Sequence, residues 1–83
     1  MSSEIINTLD DYLGQVIVIK LRDSRTIQGN LQGFDQMMNL VLTDSKDISG
    51  DDVKNPDKVL LRGGNIILVS LPDISNQKDD GSV

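Results

Sequence analysis

"GNLQGFDQMMNLVL", residues 29–42, sets two glycines four apart in a stretch otherwise suited to a strand, and then an amide, Asn39, in an apolar run. A glycine inside a strand packs nothing and weakens it, so Gly29 and Gly33 together read as a sharp bend. Closing a short sheet into a barrel needs a bend of that kind. Clean strand patterns flank it: "QVIVIKL" at 15–21 and an apolar run at 38–43. Asn39 lies inside the second of these, where an unpaired amide costs roughly 1–3 kcal/mol in lost hydration. Two readings are open. Asn39 bonds the backbone of a bulge while Asp35 caps a turn, or the two polar groups are placed for a ligand.

Outward from this stretch, Ile5, Ile6, Leu9, Tyr12 and Leu13 recur at helical spacing, and Gly14 follows as a left-handed cap. The pattern predicts a helix over 3–13, with Ser2 or Ser3 as its N-cap. The β-branched run 15–21 alternates too little for a half-exposed strand. Residues 22–25 form a turn, and 26–35 make the bent second strand. The polar stretch 44–57, holding Gly50 and Asn55-Pro56, reads as a long connection. Strands follow at 59–62 and 66–71, parted by Gly63-Gly64 as a tight turn. Residues 1–72 thus form one mainly β domain, a short helix followed by five strands. Residues 73–83 read as an acidic tail without fixed structure.

Composition narrows the chemistry. Histidine and cysteine are absent, which removes the usual general base, the usual zinc ligands and the best nucleophile. The acids of 44–57 miss the ligand positions of a helix-flanked calcium loop, and no glutamate closes it, so no metal or cofactor is expected. The net charge of −5 alone argues against a nucleic-acid partner. Its distribution argues otherwise: over 15–43, Lys20, Arg22 and Arg25 outnumber Asp23 and Asp35, and the acids gather outside. No run reaches the ~20 apolar residues of a membrane helix. The N-terminus has no basic head or long apolar stretch, so an intracellular, cytoplasmic protein is expected (or nuclear, in a eukaryote).

The last two strands, "KVLLR" and "NIILVSL", are apolar on both faces. Left as sheet edges they would template aggregation. Head-to-tail pairing of unlike edges from successive copies closes into a ring, so oligomerisation follows from the edges themselves.

Two segments resemble the Sm/Lsm family. Gly29-Asn-Leu-Gln-Gly33-Phe-Asp35-Gln-Met-Met38-Asn39-Leu-Val-Leu is similar to its first motif, and Leu61-Arg62-Gly63-Gly64-Asn65-Ile66 to its second. The resemblance covers residues 5–71. It implies a strongly bent five-stranded antiparallel sheet, an SH3-like open barrel, behind a short helix. The fourth strand of one subunit then pairs with the fifth of the next, in rings of six to eight subunits. Seven is the commonest count in the archaeal and eukaryotic branch, and the ring is built of one chain or of paralogous Sm/Lsm subunits. The bacterial branch carries a Tyr-Lys-His signature, which this chain lacks.

The resemblance also implies a site that binds single-stranded, uridine-rich RNA at the pore. Asn39 would read a base edge and Asp35 would orient it from behind. Arg62 and Met37 would be the stacking walls, Gly63 would offer a backbone group, and Gly64 stands where many members have aspartate. Met37 replaces the histidine or aromatic common at its position. Met38, Tyr12 and the remaining cations read as core and solubility residues. These features point to an RNA-binding scaffold rather than an enzyme, serving RNA processing or ribonucleoprotein assembly. A ring that has lost RNA binding and scaffolds proteins is the alternative. A methyl-lysine reader needs an aromatic cage that Tyr12 and Phe34 alone cannot build.

Overall fold

A computed structural model describes residues 3–73. Helix α1 (Ser3–Asp10) precedes β1 (Val16–Leu21), β2 (Thr26–Phe34), β3 (Leu40–Asp47), β4 (Lys54–Leu61) and β5 (Ile66–Ser70). All pairings are antiparallel and the sheet order is β4-β3-β2-β1-β5. This is a short helix followed by a bent five-stranded antiparallel sheet, the expected fold. Ser2, one of the two expected N-cap residues, and the tail from residue 74 onward lie outside the described residues, while Ser3 is the first residue of the helix.

The bend in β2 falls at its glycines. The β2–β3 register shifts between Gln28 and Asn30 and again between Leu31 and Gly33. The two glycines serve differently. A Cβ on Gly29 would lie 3.1 Å from the Cα of Ser45, whereas one on Gly33 would meet nothing within 4 Å. Gly29 therefore lets β3 cross close over β2, while Gly33 only loosens the chain.

Burial in β1 alternates strictly after all, with Ile17, Ile19 and Leu21 inside and Val16 and Lys20 outside. The outward valine hid this period of two, because β-branched residues suit both faces of a pleated strand. The core is aliphatic: Leu9, Ile17, Ile19, Leu21, Ile27, Leu31, Leu40, Leu42 and Leu61.

The helix is shorter than its apolar pattern. Beyond Asp10 the chain tightens into i→i+3 bonds, Tyr12 N–H to Leu9 O at 2.9 Å and Leu13 N–H to Asp10 O at 3.3 Å. It leaves at Gly14 with φ +83°, the left-handed conformation expected there. The Gly14 N–H then donates to Leu31 O at 2.8 Å and the Leu31 N–H to Gln15 O at 2.9 Å, fastening the helix exit to mid-β2. Tyr12 donates its hydroxyl to Pro72 O at 2.6 Å, tying the helix to the chain leaving β5.

One expectation needs correction. The stretch 44–57 is no long loop: β3 runs on to Asp47, β4 begins at Lys54, and Ser45 pairs with Asp57. Asp44 (φ +50°), just before Ser45, and Asp57 (φ +76°), its partner, take left-handed conformations there, which Asp tolerates. Pro56 fits because β4 is an edge strand, with a side that needs no donor. Gly63-Gly64 parts β4 from β5 as the expected tight turn. A single 3-10 turn over Gly63–Asn65 sends β5 to the opposite edge, where it pairs with β1. The unpaired edges β4 and β5 expose Leu60 (66%), Ile67 (59%) and Leu68 (57%), as the edge argument requires.

Candidate functional site

Between β2 and β3 the chain turns on one carboxylate. The main chain closes with Met38 N–H to Asp35 O and Asp35 N–H to Asn39 O, both at 3.1 Å. Asp35 Oδ1 accepts the N–H groups of Met37 (2.9 Å) and Asn39 (3.0 Å), and Oδ2 accepts Asn39 Nδ2 at 2.9 Å. The Asn39 amide, its N–H and the Met37 N–H hold the Asp35 carboxyl below the usual carboxylate range. Met38 takes φ +65° to complete the turn, so β3 starts at Leu40 and Asn39 stands in the loop just before it. Asn39 is therefore not a strand residue, and its amide escapes the cost a buried strand would impose.

The other end of the amide reaches the second motif. Asn39 Oδ1 accepts the Gly63 N–H at 2.8 Å. With an acceptor facing Nδ2 and a donor facing Oδ1, the amide can sit only one way round. The loops meet so closely that a Cβ on Gly63 would fall 2.1 Å from the Met37 carbonyl oxygen. Glycine is needed at 63 for this approach alone. Arg22 braces the far side, its Nε donating to Gly64 O and its N–H to Asn65 O, each at 2.8 Å.

A pocket of about 480 Å³ opens between the two loops, lined by Met37, Asn39, Arg62, Gly64 and Asn65. Met37 and Arg62 stand exposed at it, Met37 at 74%. Four of the six expected residues line this space. Asp35 sits behind Asn39 and is not part of the wall. Gly63 is not either, and its N–H is already taken by Asn39. Asn65, within the second motif, was missed as a lining residue although a side-chain amide beside Gly64 was a legible signal. Arg22 was read as a solubility residue. Its bracing role had no signal, because the Arg22–Gly64 contact spans strands that only the fold brings together. Met38 packs against the core as expected. A larger groove of about 710 Å³ lies elsewhere, along β4 between Arg25, Lys54, Pro56 and Leu60.

The LSM domain matches residues 7–71. The chain is 34% identical to an snRNP Sm-like protein of Methanococcoides burtonii, over 84% of this chain and 99% of that one. Among solved structures it is similar to the SmAP1 heptamer of P. aerophilum, at 35% identity and TM-score 0.79, covering 88% of this chain and 100% of that one. It is also similar to the Pyrococcus abyssii Sm protein in complex with a uridine heptamer, at 27% identity and TM-score 0.73, covering 78% and 93%. The family domain spans most of the chain and the fold agrees with these solved structures, so the chain belongs to the Sm/Lsm family.

Proposed function

We propose that this protein is a ring subunit, not an enzyme, that binds single-stranded, uridine-rich RNA at the pore and acts inside the cell as a scaffold for RNA processing or ribonucleoprotein assembly. One observation carries the reading: residues of both motifs converge on one pocket around a side-chain amide whose orientation is fixed. Nδ2 keeps one hydrogen and Oδ1 one lone pair beyond the bonds to Asp35 and Gly63. An adjacent donor and acceptor suit the O4 and N3–H of a uracil. Arg62 lays a guanidinium plane on one face of the base and Met37 a thioether on the other. Because the amide is already oriented, binding requires no reordering of the loop.

Ring assembly rests on the edges. β5 of one copy extends the sheet at β4 of the next, covering Leu60, Ile67 and Leu68. Seven subunits is the count taken from the heptameric relative. Fluorescence anisotropy with labelled oligouridine and oligoadenine tests the pocket. Uridine should be preferred, affinity should fall with salt, and Arg62→Ala should weaken binding by roughly tenfold, the order expected for a lost stacking contact. Arg62 is exposed, so the substitution leaves the fold alone.

The same geometry supports a second reading. Asn39 is already bonded at both ends, Gly64 brings no side-chain acceptor, and the chain is acidic overall. A ring that ignores oligouridine even at low salt would make the protein a scaffold for other proteins.

A further inference from the structure

We propose that Met37 is an oxidation site through which a two-electron oxidant such as hydrogen peroxide reversibly weakens the hold of the pocket on RNA. The inference rests on the proposed RNA site and adds a regulation to it. Met37 is 74% exposed and lines the pocket, at the position that forms one stacking wall. Met38 is turned toward the core, and Met1 lies outside the described residues. With no cysteine in the chain, methionine sulfur is the softest nucleophile an oxidant meets. Met37 holds the exposed one at the ligand site.

In the reaction the Met37 sulfur attacks one peroxide oxygen and the O–O bond breaks. An S=O bond forms, and water leaves with the second oxygen and both protons. The sulfur loses two electrons and the peroxide gains them. The product is methionine sulfoxide, polar and chiral where the thioether was apolar. A base laid against it must desolvate the new oxygen with no donor to receive it, since uracil turns its face, not its N–H, to that wall. The side chains of Asn39 and Arg62 are untouched, so binding falls without being abolished. Sulfoxide reductases return the thioether with two electrons and two protons from a thiol pair, which is oxidised to a disulfide while the oxygen leaves as water, making the change reversible.

The test uses the full-length protein as purified. It is treated with peroxide until peptide mapping shows one added oxygen on Met37, and anisotropy with labelled oligouridine is compared before and after. Affinity should fall at least about fivefold, the scale of a lost sulfur–ring contact, and methionine sulfoxide reductase treatment should restore it. The Met37→Leu variant, whatever its own affinity, should show the same affinity before and after peroxide. Unchanged binding with Met37 fully oxidised would overturn this inference and leave the RNA site standing. An equal loss in Met37→Leu would also overturn it, by placing the damage elsewhere. Absence of oligouridine binding by the untreated protein would overturn the RNA site and the inference together.

Discussion

Asp35 is the residue on which the loop between β2 and β3 depends, since its two oxygens take three donors from Met37 and Asn39. Its carboxyl titrates below the ordinary value of 3.8, so its stabilisation is fully present above that value and is lost as pH falls through the lower, folded-state one. Asp35→Asn should therefore lower the urea midpoint at neutral pH, and the gap to the wild type should narrow on acidification below 3.8. Gly63 makes a sharper prediction. Gly63→Ala places a Cβ against the Met37 carbonyl and should cost about 1–3 kcal/mol or more in urea unfolding. Gly64→Ala, with nothing within 4 Å, should be nearly neutral. The pairing of Asp35 with Asn39 was implied by the resemblance to the family. The Asn39–Gly63 bond, which joins residues 24 apart, was not. Without it, glycine at 63 looked like an offer to a ligand, whereas here it serves the packing of one loop on another.

At the level of the strand, β2 shows how much a pair of glycines can say and where it stops. The bend was legible, because two glycines four apart have little other use inside a strand. That only one of them is packed was not, because the crowding comes from Ser45 of β3. Gly29→Ala should lower stability by about 1–3 kcal/mol, as overpacking does. Gly33→Ala should be neutral or stabilising by up to about 1 kcal/mol, since it restricts the unfolded chain without a clash. Thermal unfolding of the two variants side by side measures both. The hairpin of β3 and β4 was misread for a related reason. Its outer half is polar, with left-handed Asp44 and Asp57 and a proline, all signals of a loop. At a sheet edge those residues are tolerated, since one side of β4 needs no partner within the chain. Whether a strand lies at an edge is a property of the whole sheet and cannot be read from a local window.

For the whole molecule the decisive feature is that β4 and β5, joined by one 3-10 turn, finish on opposite edges of the sheet. Their apolar character on both faces was visible in the sequence and called for a covering partner. Their placement makes the two edges unlike, which is what a closed head-to-tail ring requires. Leu68 lies exposed on β5, and Leu68→Asp should leave a folded subunit by circular dichroism that no longer assembles. On the proposed function, RNA binds the assembled ring at the junction of the two motif loops. Native mass spectrometry of the protein, titrated with a uridine heptamer alongside Arg62→Ala, tests both statements in one spectrum. The prediction is a closed seven-subunit ring that gains oligonucleotide, and an Arg62→Ala ring of the same size that gains little. A monomer at every concentration, or a ring whose uptake of oligouridine is indifferent to Arg62, would contradict it.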